Sequence, residues 1–206
     1  MTEKEKCRIG KLYDPFSQGM PEERRKAHEL CQKFNSLPES DEEGREAILK
    51  ELFGEKGENV YLQGPIQFDF GTNIKMGKNS YANFNFVVLD ENTVDIGDNV
   101  FIGPNCSLVT AIHPLCFEDR NIFLNEKTGN LTNMEYSKPI KIGDNVWISS
   151  NVTVIGGVTI GAGCVIGAGS VVTKNIPENS LAFGNPCKVY RKITDEDRIK
   201  NHPELF

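Results

Sequence analysis

An unbroken six-residue period of aliphatic side chains, small or branched residues four positions after each, and glycines directly behind several of them predict a mainly β chain folded as a parallel β-helix of hexapeptide repeats. The aliphatic positions are Ile142, Ile148, Val154, Ile160, Ile166 and Val172, and their companions are Val146, Val152, Val158, Cys164, Ser170 and Ile176. Glycine follows at Gly143, Gly161 and Gly167. This period fits neither the roughly 3.6-residue turn of an α-helix nor the two-residue repeat of a strand. The evenly spaced turns of a β-sandwich would recur every 8–12 residues or so. Each hexapeptide makes one short strand and one corner, so three close a triangular coil of about 18 residues.

The aliphatic residue points into the prism and stacks on its equivalent one coil away. Ile142 is therefore expected beneath Ile160, and Ile148 beneath Ile166. Each buried Ile or Val contributes about 1.5–3 kcal/mol. Gly143, Asn145, Gly161, Gly163, Gly167 and Gly169 suit corners, where φ is often positive or backbones run close. The pattern runs earlier with breaks, through Met76-Gly77, Ser80, Ala82, Val88, Ile96-Gly97, Val100, Ile102-Gly103, Cys106 and Leu108. Val88 and Ile96 lie eight apart, so two extra residues are expected to bulge out around Asp90–Thr93. The period then stops until Ile142. Residues 111–137 read as a polar, irregular loop, and a loop of that length is usually functional or disordered.

Residues before Gly71 look different. Pro21–Leu37 carries Ala27, Leu30, Cys31 and Phe34 at helical spacing, with Pro21 in the first turn. A second helix is expected from Ser40, with Glu43 completing a capping box and Gly54 ending it. Its apolar face is Ala47, Ile48, Leu49, Leu52 and Phe53. Met1–Gly10 reads as a charged segment, and the tail from Thr194 as a short helix or frayed end. The chain thus divides into a helical segment at 1–60, the prism at 61–192 with its inserted loop, and a tail at 193–206.

The 206 residues carry a net charge of −6, which argues against nucleic acid as a general partner. No apolar run reaches membrane-spanning length and the N-terminus is charged, so neither membrane nor secretion is expected. The six cysteines show no C-x-x-C spacing, and Cys106 and Cys164 fall on inward positions. They read as reduced core residues, which places the protein in the cytoplasm.

Three histidines exist, at 28, 113 and 202. His28 falls on the first amphipathic helix and His202 in the tail; both read as structural or solvated. His113 stands where regular coils give way to the long loop, stiffened by Pro114. It is either a surface residue or a positioned base able to take a hydroxyl proton at neutral pH. Three zinc-binding histidines from adjacent coils cannot be assembled, and the cysteines offer no substitute, so no metal is expected. Trp147, the single tryptophan, is either an outward-facing residue or the lining of a cofactor groove. Lys188, Arg191 and Lys192 follow the last coil, as a solvated tail or as cations for phosphates. No P-loop or dinucleotide fingerprint is present.

Several segments resemble the maltose and galactoside O-acetyltransferases of the hexapeptide-repeat acyltransferases. They are Gly10-Lys11-Leu12-Tyr13-Asp14, Tyr81-Ala82-Asn83-Phe84-Asn85, His113-Pro114, Asn145-Val146-Trp147-Ile148, Gly167 to Lys174, and Gly184-Asn185-Pro186-Cys187-Lys188-Val189. The resemblance implies a left-handed β-helix, a homotrimer with active sites between subunits, and acetyl-CoA as co-substrate with a sugar as acceptor. It assigns His113 as general base and Ser150 to the oxyanion and thioester region. Asp14, Asp69, Tyr81, Asn83 and Glu91 become acceptor-binding positions. Trp147, Ser150, Ala168, Thr173, Lys174, Lys188 and Arg191 become coenzyme A contacts. The chain departs from the family in placing Pro15 in the column of the early acidic residue, in carrying Asp69 where a small hydroxyl residue can occur, and in a longer loop after His113. An antibiotic O-acetyltransferase and a non-catalytic trimeric scaffold are the alternatives.

Overall fold

The computed structural model describes residues 1–17 and 19–205. The repeats build three walls of a prism. The first wall is Glu55–Lys56, Ile74–Met76, Val94–Ile96, Ile140–Ile142 and Thr159–Ile160, all parallel. The second is Tyr61–Leu62, Tyr81–Ala82, Phe101–Ile102, Trp147–Ile148, Val165–Ile166 and Ser180–Phe183, finished by the antiparallel strand Lys188–Lys192. The third is Ile66–Phe68, Phe86–Leu89, Ser107–Val109, Thr153–Ile155 and Val171–Val172.

The expected register holds: Ile142 pairs with Ile160 and Ile148 with Ile166. The inward aliphatics and their six companions are all buried. All six cysteines are free, and Cys106 and Cys164 are fully buried. The ladder starts earlier than the hexapeptide pattern shows, because Glu55–Lys56 already pairs with Lys75–Met76. This first coil fills its interior with larger groups. Phe53 and Phe68 meet edge to face at 5.6 Å, and Phe68 and Phe86 at 5.7 Å.

Corner geometry explains the asparagines. Asn59, Asn79, Asn99 and Asn145 all take φ of 54–59°, a left-handed conformation that asparagine tolerates. Their side-chain amides bond upward in a ladder, at 3.0, 3.2 and 3.3 Å. Gly103 answers a different need: a Cβ there would lie 2.8 Å from the Ser149 carbonyl carbon and the Ser150 nitrogen of the next coil.

An open prism end exposes an apolar cross-section, and helices cover it here. Helix α1 (Glu3–Arg8) forms where only charge was legible, nucleated by a Thr2–Glu5 capping box. Helix α2 spans Met20–Ser36 and α3 spans Glu42–Leu52. The expected Ser40 box does not form. Asp41 fills the cap instead, its Oδ1 accepting the Gly44 amide at 3.0 Å. Ala47 is exposed, whereas Leu49, Leu52 and Phe53 pack with Leu30, Phe34 and Phe68 over the first coil. Arg45 is buried, stacked on Phe34 at 4.2 Å and donating to the Leu62 and Gln63 carbonyls. Asn35 anchors α2 to the third wall through both backbone groups of Ile66, at 2.8 and 2.9 Å.

Two further expectations change. Asp90, Glu91 and Asn92 do not bulge outward; all three are buried. Nor is the stretch 111–137 wholly irregular. Ala111–Ile112 pairs antiparallel with Tyr136–Ser137, Phe123–Asn125 pairs with Asn130–Thr132, and helix α4 covers Phe117–Arg120. Exposed Cys116 precedes that helix. The tail folds into 3-10 turns at Asp195–Asp197, Ile199–Asn201 and Pro203–Leu205.

Candidate active site

Two corners of the prism obey the hexapeptide spacing closely. The third, between the third and first walls, does not, and it collects the polar chemistry. Successive coils place Asp69, then Asp90-Glu91-Asn92, then Thr110 and the stretch leading to His113 at this corner. The extra residues after Leu89 are buried because their polar groups are answered. Asp90 accepts from the Phe70 amide at 2.8 Å and the Asn73 amide at 3.3 Å. Asn92 donates to the Cys7 carbonyl at 3.1 Å and to Ser137 Oγ at 3.0 Å. Thr110 Oγ1 lies 2.7 Å from the Leu89 carbonyl and 3.5 Å from Glu91 Oε2. Cys7 Sγ donates to the Glu91 carbonyl, so α1 is stitched onto the corner. Burial pushes the Asp90 carboxyl up to about 6 against the pull of its backbone donors. Glu91 is raised as well, by burial first and then by the Asp69 carboxyl bonded to it.

His113 follows the Ala111–Ile112 strand and is about half exposed. Its Nδ1 lies 3.8 Å from Glu135 Oε1 and 3.5 Å from Asn133 Nδ2. Glu135 is held firmly. It exchanges both backbone hydrogen bonds with Tyr13, at 2.8 and 3.1 Å, and accepts the Tyr13 hydroxyl at 3.1 Å. Burial pushes the Tyr13 phenol far above its ordinary range, keeping it a neutral donor. Glu135 Oε1 is thus within Coulombic reach of the imidazole but beyond hydrogen-bond distance of Nδ1, while the Asn133 amide nitrogen approaches it as a donor. Glu135 and Asn133 were not legible as site residues. They lie in a segment without periodicity, and only the strand pairing of 111–112 with 136–137 returns them to His113.

Asp14 is buried. Its Oδ1 accepts from the Phe16 amide and from Thr132 Oγ1, and its Oδ2 from Asn125 Nδ2. It thereby ties the N-terminal segment to the long loop. Asp69 stands beside Glu91 and, 3.3 Å away, His28 Nε2. His28, expected to be structural or solvated, therefore reaches a candidate site residue.

The remaining candidates lie elsewhere on the prism. Tyr81, Phe101 and Trp147 are in register on the outer side of the second wall, above Tyr61. Tyr61 and Tyr81 stack at 6.0 Å. Trp147 is 52% exposed and Phe101 54%. Asn83, Ser150 and Ala168 follow the strands of this wall, at the corner with the third wall. Thr173 and Lys174 follow the last strand of the third wall and are exposed. Lys188 and Arg191 sit on the final antiparallel strand. Arg191 makes a two-pronged ion pair with Asp197, at 2.6 and 2.8 Å, which holds the Asp197 carboxyl down to about 2. The second wall lies across the prism from the His113 corner. A single chain brings together His113, Glu135, Asp69 and Glu91, but not Tyr81, Asn83 or Trp147.

Comparison with known proteins agrees with this architecture. Residues 6–57 match the maltose acetyltransferase hexapeptide capping motif, and residues 139–174 match six bacterial transferase hexapeptides. Residues 93–112 match a hexapeptide repeat of succinyl-transferases. The galactoside O-acetyltransferase of Escherichia coli K12 is 46% identical over 94% of this chain and 91% of its own. The crystal structure of a maltose O-acetyltransferase from Clostridium difficile 630 superposes with a TM-score of 0.86, at 43% identity, over 95% of this chain and 99% of that one. A galactoside acetyltransferase in complex with coenzyme A gives 0.87 at 45% identity, over 96% and 94%. The chain is an acetyltransferase of the hexapeptide-repeat family and belongs with the galactoside and maltose O-acetyltransferases.

Proposed function

We propose that this protein transfers an acetyl group from acetyl-CoA to a sugar hydroxyl, with His113 as general base, in sites formed between the copies of a homotrimer. The observation that carries the reading is the placement of the candidates on opposite sides of one prism. His113 and its carboxylates occupy one corner, while Tyr81, Asn83 and Trp147 face outward across the core. Packing the second wall of one copy against the His113 corner of the next unites them. That wall carries a continuous stripe of outward aromatics, exposed Tyr61, Phe101 and Trp147 with half-buried Tyr81 between them, of a kind that marks interaction surfaces. The long loop adds Leu115, Phe117, Ile122, Leu124 and Leu131, all exposed.

In the proposed step His113 Nε2 takes the proton from the acceptor hydroxyl as that oxygen attacks the thioester carbonyl. Glu135 steadies the imidazolium so formed. Donors near Ser150 hold the tetrahedral oxyanion. The imidazolium then returns its proton to the departing thiolate, and no acyl-enzyme is needed. Trp147 lines the path of the pantetheine arm, beside Ala168, while Thr173, Lys174 and Lys188 sit where a long anionic co-substrate would run along the outside of the prism. Asp69 and Glu91 serve the acceptor directly, and Asp14 through the loop that it holds.

Incubating the protein with acetyl-CoA, a thiol reagent and a panel of sugars and antibiotics tests the proposal. Thiol release with sugars is the expected result. Release with antibiotics alone would replace the acceptor class. Absence of coenzyme A binding would reduce the protein to a scaffold.

A further inference from the structure

Tyr13 lies outside the main core. Its ring is fully buried in a separate apolar cluster with Cys7 of α1, Met20 at the start of α2, and Phe70. A phenylalanine would fill that cluster equally well. The hydroxyl is what leaves it, donating to Glu135 Oε2 at 3.1 Å. That contact occupies one oxygen of Glu135 and leaves the other for the His113 side. Oε1 lies 3.8 Å from His113 Nδ1, and Asn133 Nδ2 touches both, at 3.4 Å from Oε1 and 3.5 Å from Nδ1. The line runs from a fully buried phenol to a half-exposed imidazole. The main chain around it is already locked. Tyr13 and Glu135 exchange both backbone hydrogen bonds, and Asp14 takes Thr132 Oγ1 at 2.5 Å and Asn125 Nδ2 at 3.1 Å. The N-terminal segment thus grips the loop on both sides of Asn133. What this grip leaves free is the rotation of the Glu135 side chain.

We propose that Tyr13 is a positioning residue for the proton transfer: its hydroxyl pins Glu135 Oε2, so that Oε1 stays turned toward His113. The inference rests on the acetyltransfer reading above and deepens it, by bringing the N-terminal segment into the site. Without the hydroxyl the Glu135 side chain regains rotamers, and its charge spends part of the time away from the imidazole. The cost falls on kcat, because the charge acts as the imidazole becomes cationic. A hydroxyl present only to satisfy a buried phenol would affect stability and leave the rate alone.

The test compares wild type, Tyr13→Phe, Glu135→Gln and the double variant in steady-state thiol release, with Ser137→Ala as control. Tyr13→Phe keeps the ring in its cluster and lowers kcat about three- to ten-fold, with both KM values within about two-fold. In the Glu135→Gln background the same replacement changes kcat by less than about two-fold, because no charge remains to be aimed. Ser137 Oγ ties the same segment to the loop, donating to the Cys7 carbonyl at 2.8 Å, without bonding Glu135 or His113. Ser137→Ala therefore lowers the melting temperature and leaves kcat unchanged. An unchanged kcat in Tyr13→Phe, additive losses in the double variant, or an equal fall in Ser137→Ala each overturn the proposal. Imidazole 15N NMR of the acceptor-free protein supplies a readout that does not depend on turnover. The His113 ring resonances move in Tyr13→Phe; if they coincide with wild type, the inference fails even where a sugar is acetylated. Should wild type acetylate no sugar while those resonances move, the acetyltransfer reading fails alone.

Discussion

Replacing Glu135 with glutamine isolates one electrostatic contribution to the proposed proton transfer. The side chain keeps its size and can still accept from Tyr13, so the Tyr13–Glu135 backbone pairing at 2.8 and 3.1 Å remains. What disappears is a negative charge 3.8 Å from His113 Nδ1. In the proposed step the imidazole goes from neutral to cationic as it takes the acceptor's proton, so the charge acts on the barrier rather than on binding. Two unit charges about 4 Å apart interact by about 1 kcal/mol in bulk water and about 4 kcal/mol at an effective dielectric of about 20. His113 is 55% exposed at its side chain and Glu135 14%, which places the pair toward the watery limit. About 1–2 kcal/mol remains, or roughly a five- to thirty-fold fall in kcat. Steady-state thiol release at saturating acetyl-CoA and acceptor measures it, with both KM values nearly unchanged. Wild-type kcat in Glu135→Gln would refute the reasoning. A loss as deep as that from removing the imidazole would refute it too, since Glu135 would then be doing more than steadying a charge.

Removing the proposed base itself, in His113→Ala, lowers kcat by about 10²–10⁴-fold while leaving the assembly and its melting temperature unchanged; retained activity in that assay discards the assignment. Phe101→Glu puts a charge at the centre of the aromatic stripe, and light scattering is expected to report dissociated copies with activity lost together. An assembled, active Phe101→Glu variant would move the interface to another wall. Asp90 gives a pH prediction. Its carboxyl titrates near 6 in the fold against an ordinary 3.8, so its stabilising share is complete below pH 3.8 and is lost as pH rises through about 6. The loss approaches about 3 kcal/mol. The urea-unfolding free energy of wild type minus that of Asp90→Asn should fall across this window, and a pH-independent difference would contradict it.

How much was legible can be traced residue by residue. Ile142, Ile148, Val154 and their partners announce their stacking because a hexapeptide period repeats one spatial relation many times. Each unit restates what its neighbours say. The helices over the prism end were legible through Ala27, Leu30 and Phe34, but the Asp41 cap displaced the Ser40 box because adjacent residues compete for the same amides. Helix α1 was hidden, since a six-residue charged segment carries no apolar period and is held by contacts to Glu91 and Asn92 far along the chain. The polar corner was misjudged for a related reason. Asp90, Glu91 and Asn92 look like a surface bulge until the Phe70 amide, Thr110 and the Cys7 carbonyl are seen to satisfy them.

From the chain alone came the prism, its inward ladder, the break at His113 and the likeness to sugar acetyltransferases, because periodicity and short motifs are local properties. Only the folded molecule could decide that Glu135 stands behind His113, that His28 meets Asp69, and that Tyr81 and Trp147 face away from His113. Those relations join residues from different coils and different walls. Their distances are set by how strands stack and corners turn, and no local pattern encodes them.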